Sequence, residues 1–250
     1  MNRENEWLRA LVNKRTIVSQ RDNLLQVAEA RLHPSLTNPN FLVLRSRRLI
    51  FVSWINQIPG RGLNVLDVGG RYQPYRPLLQ HKESGYIGVD VIPTVMVDVV
   101  ASGESLPFAA NTFDVVIATQ VFEYFSKPSL AGEQIHRVLK PGGCLLASLA
   151  SFAPRFVDDE RWRFTPAGIR LVFSPFANVN IVPELSNIGS FLRTINLAMN
   201  AFLPWSFARF AYNWTIGPIL NILGLGLESL RLTRGDQFAA NYSVRATKAN

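Results

Sequence analysis

Apolar residues recur with two different periods along this 250-residue chain, and the switch between them divides it. Up to residue 58 the spacing is helical. Trp7, Leu8, Leu11 and Val12 share a face of a predicted helix over 3–31. Phe41, Leu44, Phe51, Trp54 and Ile55 do the same for a second over 40–58, with HPSLTNPN between the two and Pro59-Gly60 closing the pair. From residue 61 short apolar runs alternate with helix-like stretches: NVLDVG, a helix near 75–81, YIGVDV, VMVDVVA, DVVIATQ, a helix over 128–139 and CLLASLA. That βαβ rhythm predicts a parallel sheet with right-handed crossovers. Pro141-Gly142-Gly143 is expected to end the 128–139 helix and turn the chain into a buried strand. Beyond it, Thr165-Pro166 should open a helix through Phe173, and ANVNIVPEL should form a strand. Residues 186–232 should give two or three short helices, and FAANYSVRATK a last strand. The division expected is a helical preface over 1–60 and one α/β domain over 61–250, with 186–232 as a helical insertion.

The stretch NVLDVGGRYQPY, residues 64–75, carries the densest chemistry. A strand runs into Asp67, Gly69 and Gly70, and a second strand ends on Asp90. Glycines allow a sharp turn and a close backbone approach to a ligand, and a carboxylate after the next strand can hold a ribose diol. The spacing from Asp67 to Asp90 is near the roughly 20 residues expected between such elements. Gly69-Gly70-Arg71 is not the G-x-G-x-x-G of a dinucleotide site.

The order NVLDVGG, YIGVD, ESLPFAANTFDVVIATQVFEYF and HRVLKPGGCLLAS resembles the class I S-adenosylmethionine-dependent methyltransferases, most closely the methyltransferase type 11-like group. The resemblance covers residues 62–150, and WRFTPAGIRLVF at 162–173 extends it toward methyltransferase-like proteins encoded among glycan-assembly enzymes. It implies a Rossmann-like fold: a mostly parallel seven-stranded sheet with an antiparallel last strand. It also implies S-adenosyl-L-methionine as cofactor. Asp67 and Gly69 would border its methionine end, with backbone N–H groups of the Gly69-Gly70 loop offered to its carboxylate. Asp90 would take the ribose hydroxyls, Gly103 and Glu104 would line the adenine, and Gln120, Val121 and Phe122 would face the transferred methyl. The alternative for Leu106, Pro107 and Phe108 is plain core, and for Asp114 a strand-start cap.

Two positions depart from the family pattern. Arg71 stands where a second glycine is usual, and Ser102 where an aspartate often reaches the adenine amino group. Arg71 either pairs with the cofactor carboxylate or points to solvent; beside the sulfonium it would be repelled. Methyl transfer from a sulfonium needs alignment in a dry pocket more than covalent help. A hydroxyl acceptor still needs a base. By position the candidates are Glu123 and Tyr124, where many relatives carry Glu-His; His136 reads as an exposed helix residue and His33 as a turn residue. The Asp158-Asp159-Glu160 triplet and Arg161-Trp162-Arg163 follow a strand's carboxyl end, where loops shape substrate pockets.

Composition narrows this picture. Net charge is +8, with the excess outside 64–150, which suits an anionic membrane or a solvated helix face. No nucleic-acid signature accompanies it. Cys144, the single cysteine, reads as a small buried hydrophobe, and three scattered histidines offer no metal site. No signal peptide is evident, and the apolar window 210–230 is interrupted by Asn213, Asn221 and Glu228. The expectation is a cytoplasmic protein, either free or peripheral at the inner membrane face. Its aromatic insertion, with Trp205, Phe207, Phe210, Tyr212 and Trp214 around Arg209, would be a cap, a homodimer face or a membrane contact. Three readings follow. The first is an enzyme methylating a small-molecule, glycan or lipid-linked acceptor. The others are a methyltransferase-like binding protein without turnover, and a basic scaffold.

Overall fold

Strand β1 (Leu63–Val68) is buried at every position but Asn64, the burial of a strand covered on both faces. The computed structural model describes residues 3–155, 157–230 and 235–250, with side chains from Ile17 onward, so Trp7, Leu8, Leu11 and Val12 lie outside the described side chains. β1 pairs in parallel with β2 (Glu83–Asp90) and β4 (Phe113–Thr119). β2 pairs likewise with the two-residue β3 (Val99–Val100), and β4 with β5 (Leu139–Ala150). β7 (Asn241–Thr247) enters antiparallel between β5 and β6 (Asn178–Pro183), completing the order β3-β2-β1-β4-β5-β7-β6. Strand order reverses between β1 and β4, so the crevice for a ligand opens over their carboxyl ends.

Each face of the sheet has its own core. On one, Leu66, Val116, Leu145 and Val244 pack with Phe122, Ile135 of α3 (Pro128–Val138) and Ile169 of α4 (Pro166–Val172). On the other, Val65, Val115, Ile117 and Leu146 meet Leu32, at the end of α1 (Arg3–Leu32), and Phe51, Trp54 and Ile55 of α2 (Phe41–Asn56). The predicted 1–60 preface therefore shares a core with the sheet. A third cluster joins Phe41, Leu42 and Val43 to Leu185 and to Leu192 of α5 (Asn187–Phe202). Helices α6 (Ser206–Trp214) and α7 (Ile216–Ser229) follow α5, so the 186–232 region holds three helices among its described residues.

Several elements depart from expectation. The helix near 75–81 is only a 3₁₀ turn, Arg76–Leu78. Pro77 has no N–H to give, and the bonds of this stretch run three residues back, as Leu79 N–H to the Arg76 carbonyl at 2.9 Å does. Nor does Pro141-Gly142-Gly143 end α3. The helix stops at Val138, Leu139 already pairs with Phe113, and Cys144 next pairs with Val115. Residues 140–143 bulge out opposite Asp114, using Gly142 at φ +73°. Lys140 Nζ then reaches both Asp114 carboxylate oxygens at 2.9 and 2.8 Å, and Asp114 also accepts the Asn64 N–H, so it pins a bulge and a neighbouring strand. Thr165 caps α4 as its sequence suggests, accepting the Gly168 N–H at 3.3 Å. The 210–230 window breaks at Thr215, and no helix among the described residues is long and apolar enough to cross a membrane.

Candidate active site

At the β1–β2 side the backbone makes the turn. Gly69 sits at φ +78°, and a Cβ there would lie 2.8 Å from Val121 Cγ2, so the β1 and β4 loops touch at this point. A Cβ on Gly70 would lie 2.7 Å from the Asp67 carbonyl. Both glycine N–H groups bond the Val89 carbonyl, at 2.8 and 3.0 Å. They are spent on holding β1 to β2, which corrects the expectation that they are offered to a ligand carboxylate. A different donor stands next to them: the Nε of Arg71 is buried without a hydrogen-bond partner. The Arg71 guanidinium lies over the Tyr72 ring at 4.9 Å, and that of Arg31, from the end of α1, at 4.4 Å. Asp90, half-buried at the end of β2, turns Oδ1 to the Ile92 N–H at 2.9 Å. Gly103 packs against Phe125 and Val68, whereas Glu104 accepts the Ser126 and Lys127 N–H groups at 3.3 and 2.6 Å and so holds the loop before α3.

On the β4–β5 side, Gln120 is a non-glycine residue at φ +51°. Its N–H bonds the Ser148 carbonyl at 2.8 Å and its Nε2 bonds Ser148 Oγ at 3.1 Å, which holds this strained conformation in place. Val121 meets Gly69 as described, and Phe122 is fully buried, edge-on to Phe125 and Phe173. Its ring is core, which corrects the idea that it faces a transferred methyl. Glu123 is 2 % exposed; Oε1 accepts the Ala150 N–H and Oε2 has no partner. Tyr124 is exposed at the rim, with its hydroxyl 3.5 Å from Glu160 Oε1. Gln120, Glu123 and Tyr124 line a cavity of about 20 Å³ with Ala150, Ala153, Glu160, Arg163 and Arg193. Arg163 pairs with Glu160, and Trp162 donates its indole N–H to the Phe125 carbonyl at 2.8 Å, so this loop is tied to the pocket edge. A larger cleft of about 480 Å³ lies between α1 and the post-glycine loop, lined by Arg21, Glu29, Tyr72, Gln73, Arg76 and Met96 among others.

This constellation has relatives. The profile of a family described as a methyltransferase domain matches residues 66–147, from the middle of β1 into β5. Over that stretch the chain carries a class I methyltransferase domain. An uncharacterized methyltransferase of Mycobacterium tuberculosis is 28% identical over 152 residues, 56% of this chain and 60% of the relative. One from Mycolicibacterium vanbaalenii is 33% identical over 111 residues, 40% of this chain and 44% of the relative. The match thus spans less than two thirds of either relative. Among solved structures, the complex between the Haloferax volcanii Trm112 methyltransferase activator and a methyltransferase aligns with a TM-score of 0.51 at 16% identity, covering 82% of this chain and 90% of that one. That likeness concerns the fold.

Burial sets the electrostatics of this candidate site. Asp67, under the glycine turn, is pushed up to about 7, chiefly by burial and further by Asp90, although the Tyr86 hydroxyl at 2.7 Å acts to lower it. Glu123 is likewise raised to about 7 by burial, against the Ala150 N–H and the field of Arg47 and Arg163. Burial pushes the Tyr124 phenol up, with Glu160 and Glu123 adding to it, so Tyr124 keeps its proton at neutral pH and is no base. His136 is half-buried against the Phe176 ring at 5.1 Å, not an exposed helix residue, and takes no part in this site. Cys144 is buried and its thiol is pushed up to about 11 by desolvation, as an inert core residue should be.

Sequence reading missed the polar groups behind the cavity. Glu184, after β6, is buried and takes Arg47 Nε at 2.8 Å and Arg47 Nη2 at 3.0 Å. It also takes the hydroxyls of Ser148 and Ser243 at 2.6 and 2.9 Å and Asn241 Nδ2 at 3.2 Å. Burial acts to lower the Arg47 guanidinium, yet Glu184 and Tyr75 outweigh it and the net shift is upward. Arg193, on α5, gives Nε and Nη2 to Asn40 Oδ1 at 3.0 and 2.9 Å, while its buried Nη1 has no partner. Burial, with Arg47, lowers it to about 10. A signal for Arg47 was present: it sits four residues after Val43 and four before Phe51, on the apolar stripe of α2, where a cation needs a buried partner.

Proposed function

We propose that the chain transfers a methyl group from S-adenosylmethionine to a hydroxyl of a polyhydroxylated acceptor, free, glycan-borne or lipid-linked. The carrying observation is Glu123: a buried carboxylate, raised to about 7, with an unpartnered Oε2, lining a cavity at the carboxyl ends of β4 and β5. The cavity is about 20 Å³, room for one water-sized group such as a hydroxyl. The cofactor, when bound, supplies an electrophilic methyl on a sulfonium. Asp90 would hold its ribose, and the free Nε of Arg71 would replace the glycine N–H groups toward its carboxylate, which fits the donors present. Glu123 would accept the acceptor's hydroxyl proton as the oxygen takes the methyl, the cofactor departing as a neutral thioether. A carboxylate matched to neutral pH suits that step. Arg193 Nη1, the unpartnered buried donor of the same cavity, would give a hydrogen bond to that acceptor oxygen, which favours a hydroxyl over a protonated amine.

The second reading, a binding protein without turnover, draws on the tight Gly69–Val121 contact and the spent glycine N–H groups. Calorimetry with S-adenosylhomocysteine separates the cases, followed by transfer of a labelled methyl from S-adenosylmethionine to a panel of simple glycosides. Glu123→Gln should bind S-adenosylhomocysteine like the parent chain while transfer falls about 10²-fold or more. No binding at millimolar concentration sinks the enzyme reading, and full transfer by the glutamine variant removes Glu123 as the base.

A further inference from the structure

Helices α5, α6 and α7 meet one another partly through amides, beside the leucines that face α2, and carry large apolar side chains on the outside. Inside, Asn196 gives Nδ2 to Asn221 Oδ1 at 3.1 Å and accepts the Tyr212 hydroxyl at 2.8 Å. Asn221 Nδ2 reaches the Leu36 and Asn38 carbonyls at 2.7 and 3.1 Å, and Asn200 and Asn213 exchange amide bonds at 2.9 and 2.8 Å. Outside, Phe207, Phe210 and Trp214 stand at i, i+3 and i+7 of α6, exposed by 79, 60 and 63%. Ile216, Ile219 and Leu223 repeat that spacing on α7, at 52, 64 and 48%. A surface helix ordinarily turns its apolar stripe to the core and its amides to water. On α6 and α7 amides are among the groups turned inward while the outward side is apolar, as in helices that meet through polar side chains and face hydrocarbon.

Charge and length select the occupant. Residues 185–227 contain no Asp or Glu, and the exposed Arg209 lies between Phe207 and Phe210 on a chain of net charge +8. This face therefore offers only positive charge, which suits anionic headgroups. In a twofold dimer through this face, Arg209 would find no carboxylate of the same patch to pair with. Trp205 and Trp214 flank α6, and indole rings favour the level where headgroups meet acyl chains. Nine residues make α6 about 14 Å long, so it can lie in that layer but not cross it. We infer that α6 and α7 seat the protein on an anionic lipid bilayer, with their aromatic and aliphatic side chains in the interfacial layer and Arg209 on lipid phosphate.

Sedimentation of the full chain with phosphatidylcholine vesicles, with and without 30% phosphatidylglycerol, tests this. The chain should pellet with the anionic vesicles, more weakly at high salt, with a blue shift of tryptophan emission. The double variant Phe207→Ser, Phe210→Ser, with unchanged circular dichroism and melting, should partition at least about tenfold less. No pelleting with anionic vesicles overturns the inference, as does equal partition of the variant. So does a vesicle-free dimer, seen by analytical ultracentrifugation, that the double variant dissolves while neither form binds lipid; the face then belongs to a second copy.

Discussion

Along the carboxyl edge of the sheet, the β1–β2 side is assembled by neighbours in sequence, whereas the β4–β5–β7–β6 side draws on residues far apart. Asp67, Gly69, Gly70 and Arg71 lie within five positions, and Asp90 follows one strand later. Behind the small cavity, Arg47 comes from α2, Ser148 from β5, Glu184 from the end of β6, Arg193 from α5 and Ser243 from β7. The first side is shaped by backbone conformation and the second by desolvated charge. Mutations should therefore act differently at the two sides.

The largest effect is expected at the buried pair. Arg47→Met leaves Glu184 without its cation and should cost about 3–5 kcal/mol in a urea titration. Asp90→Ala should change stability by less than about 0.5 kcal/mol yet weaken S-adenosylhomocysteine binding about tenfold or more in calorimetry. Comparable losses of stability from both substitutions would erase the contrast.

The next effect is pH-dependent and touches both sides. Asp67 and Glu123 each bind protons more tightly folded than unfolded, with values raised from 3.8 and 4.5 to about 7. Their contribution to stability is complete below the unfolded values and is lost as pH rises toward 7. The stability of the ligand-free chain should therefore fall between about pH 4 and pH 7, by at most roughly 4 kcal/mol per group, with the melting temperature falling alongside and levelling off above. Asp67→Asn and Glu123→Gln should each flatten that slope. The smallest effect is Tyr86→Phe, which removes one hydrogen bond to Asp67 and should cost about 1 kcal/mol, read by the same titration.

The contrast also decides what could be read in advance. NVLDVGG and the later Asp90 announced the first side because a glycine turn and a strand-end carboxylate have a local spacing. The mostly parallel sheet followed from the alternation of apolar runs, and its antiparallel last strand from the family resemblance. The Glu184 network was not legible, because no spacing within ANVNIVPEL says that its glutamate turns inward to meet an arginine 137 positions earlier. The loss of the 75–81 helix to Pro77, and the bulge at 140–143, were missed for a different reason. Each depends on a single residue overriding the pattern around it, Pro77 in one and Gly142 in the other.

The 137-residue separation between Arg47 and Glu184 has a consequence for biosynthesis. Arg47 leaves the ribosome long before its partner is made, and α2 must wait, with a cation on its inward stripe, for β6 and β7 to arrive. Closing so long a loop is slow relative to local helix formation. The pair should thus act as a clasp that shuts late, so that α2 docks for good only after nearly the whole sheet has been translated.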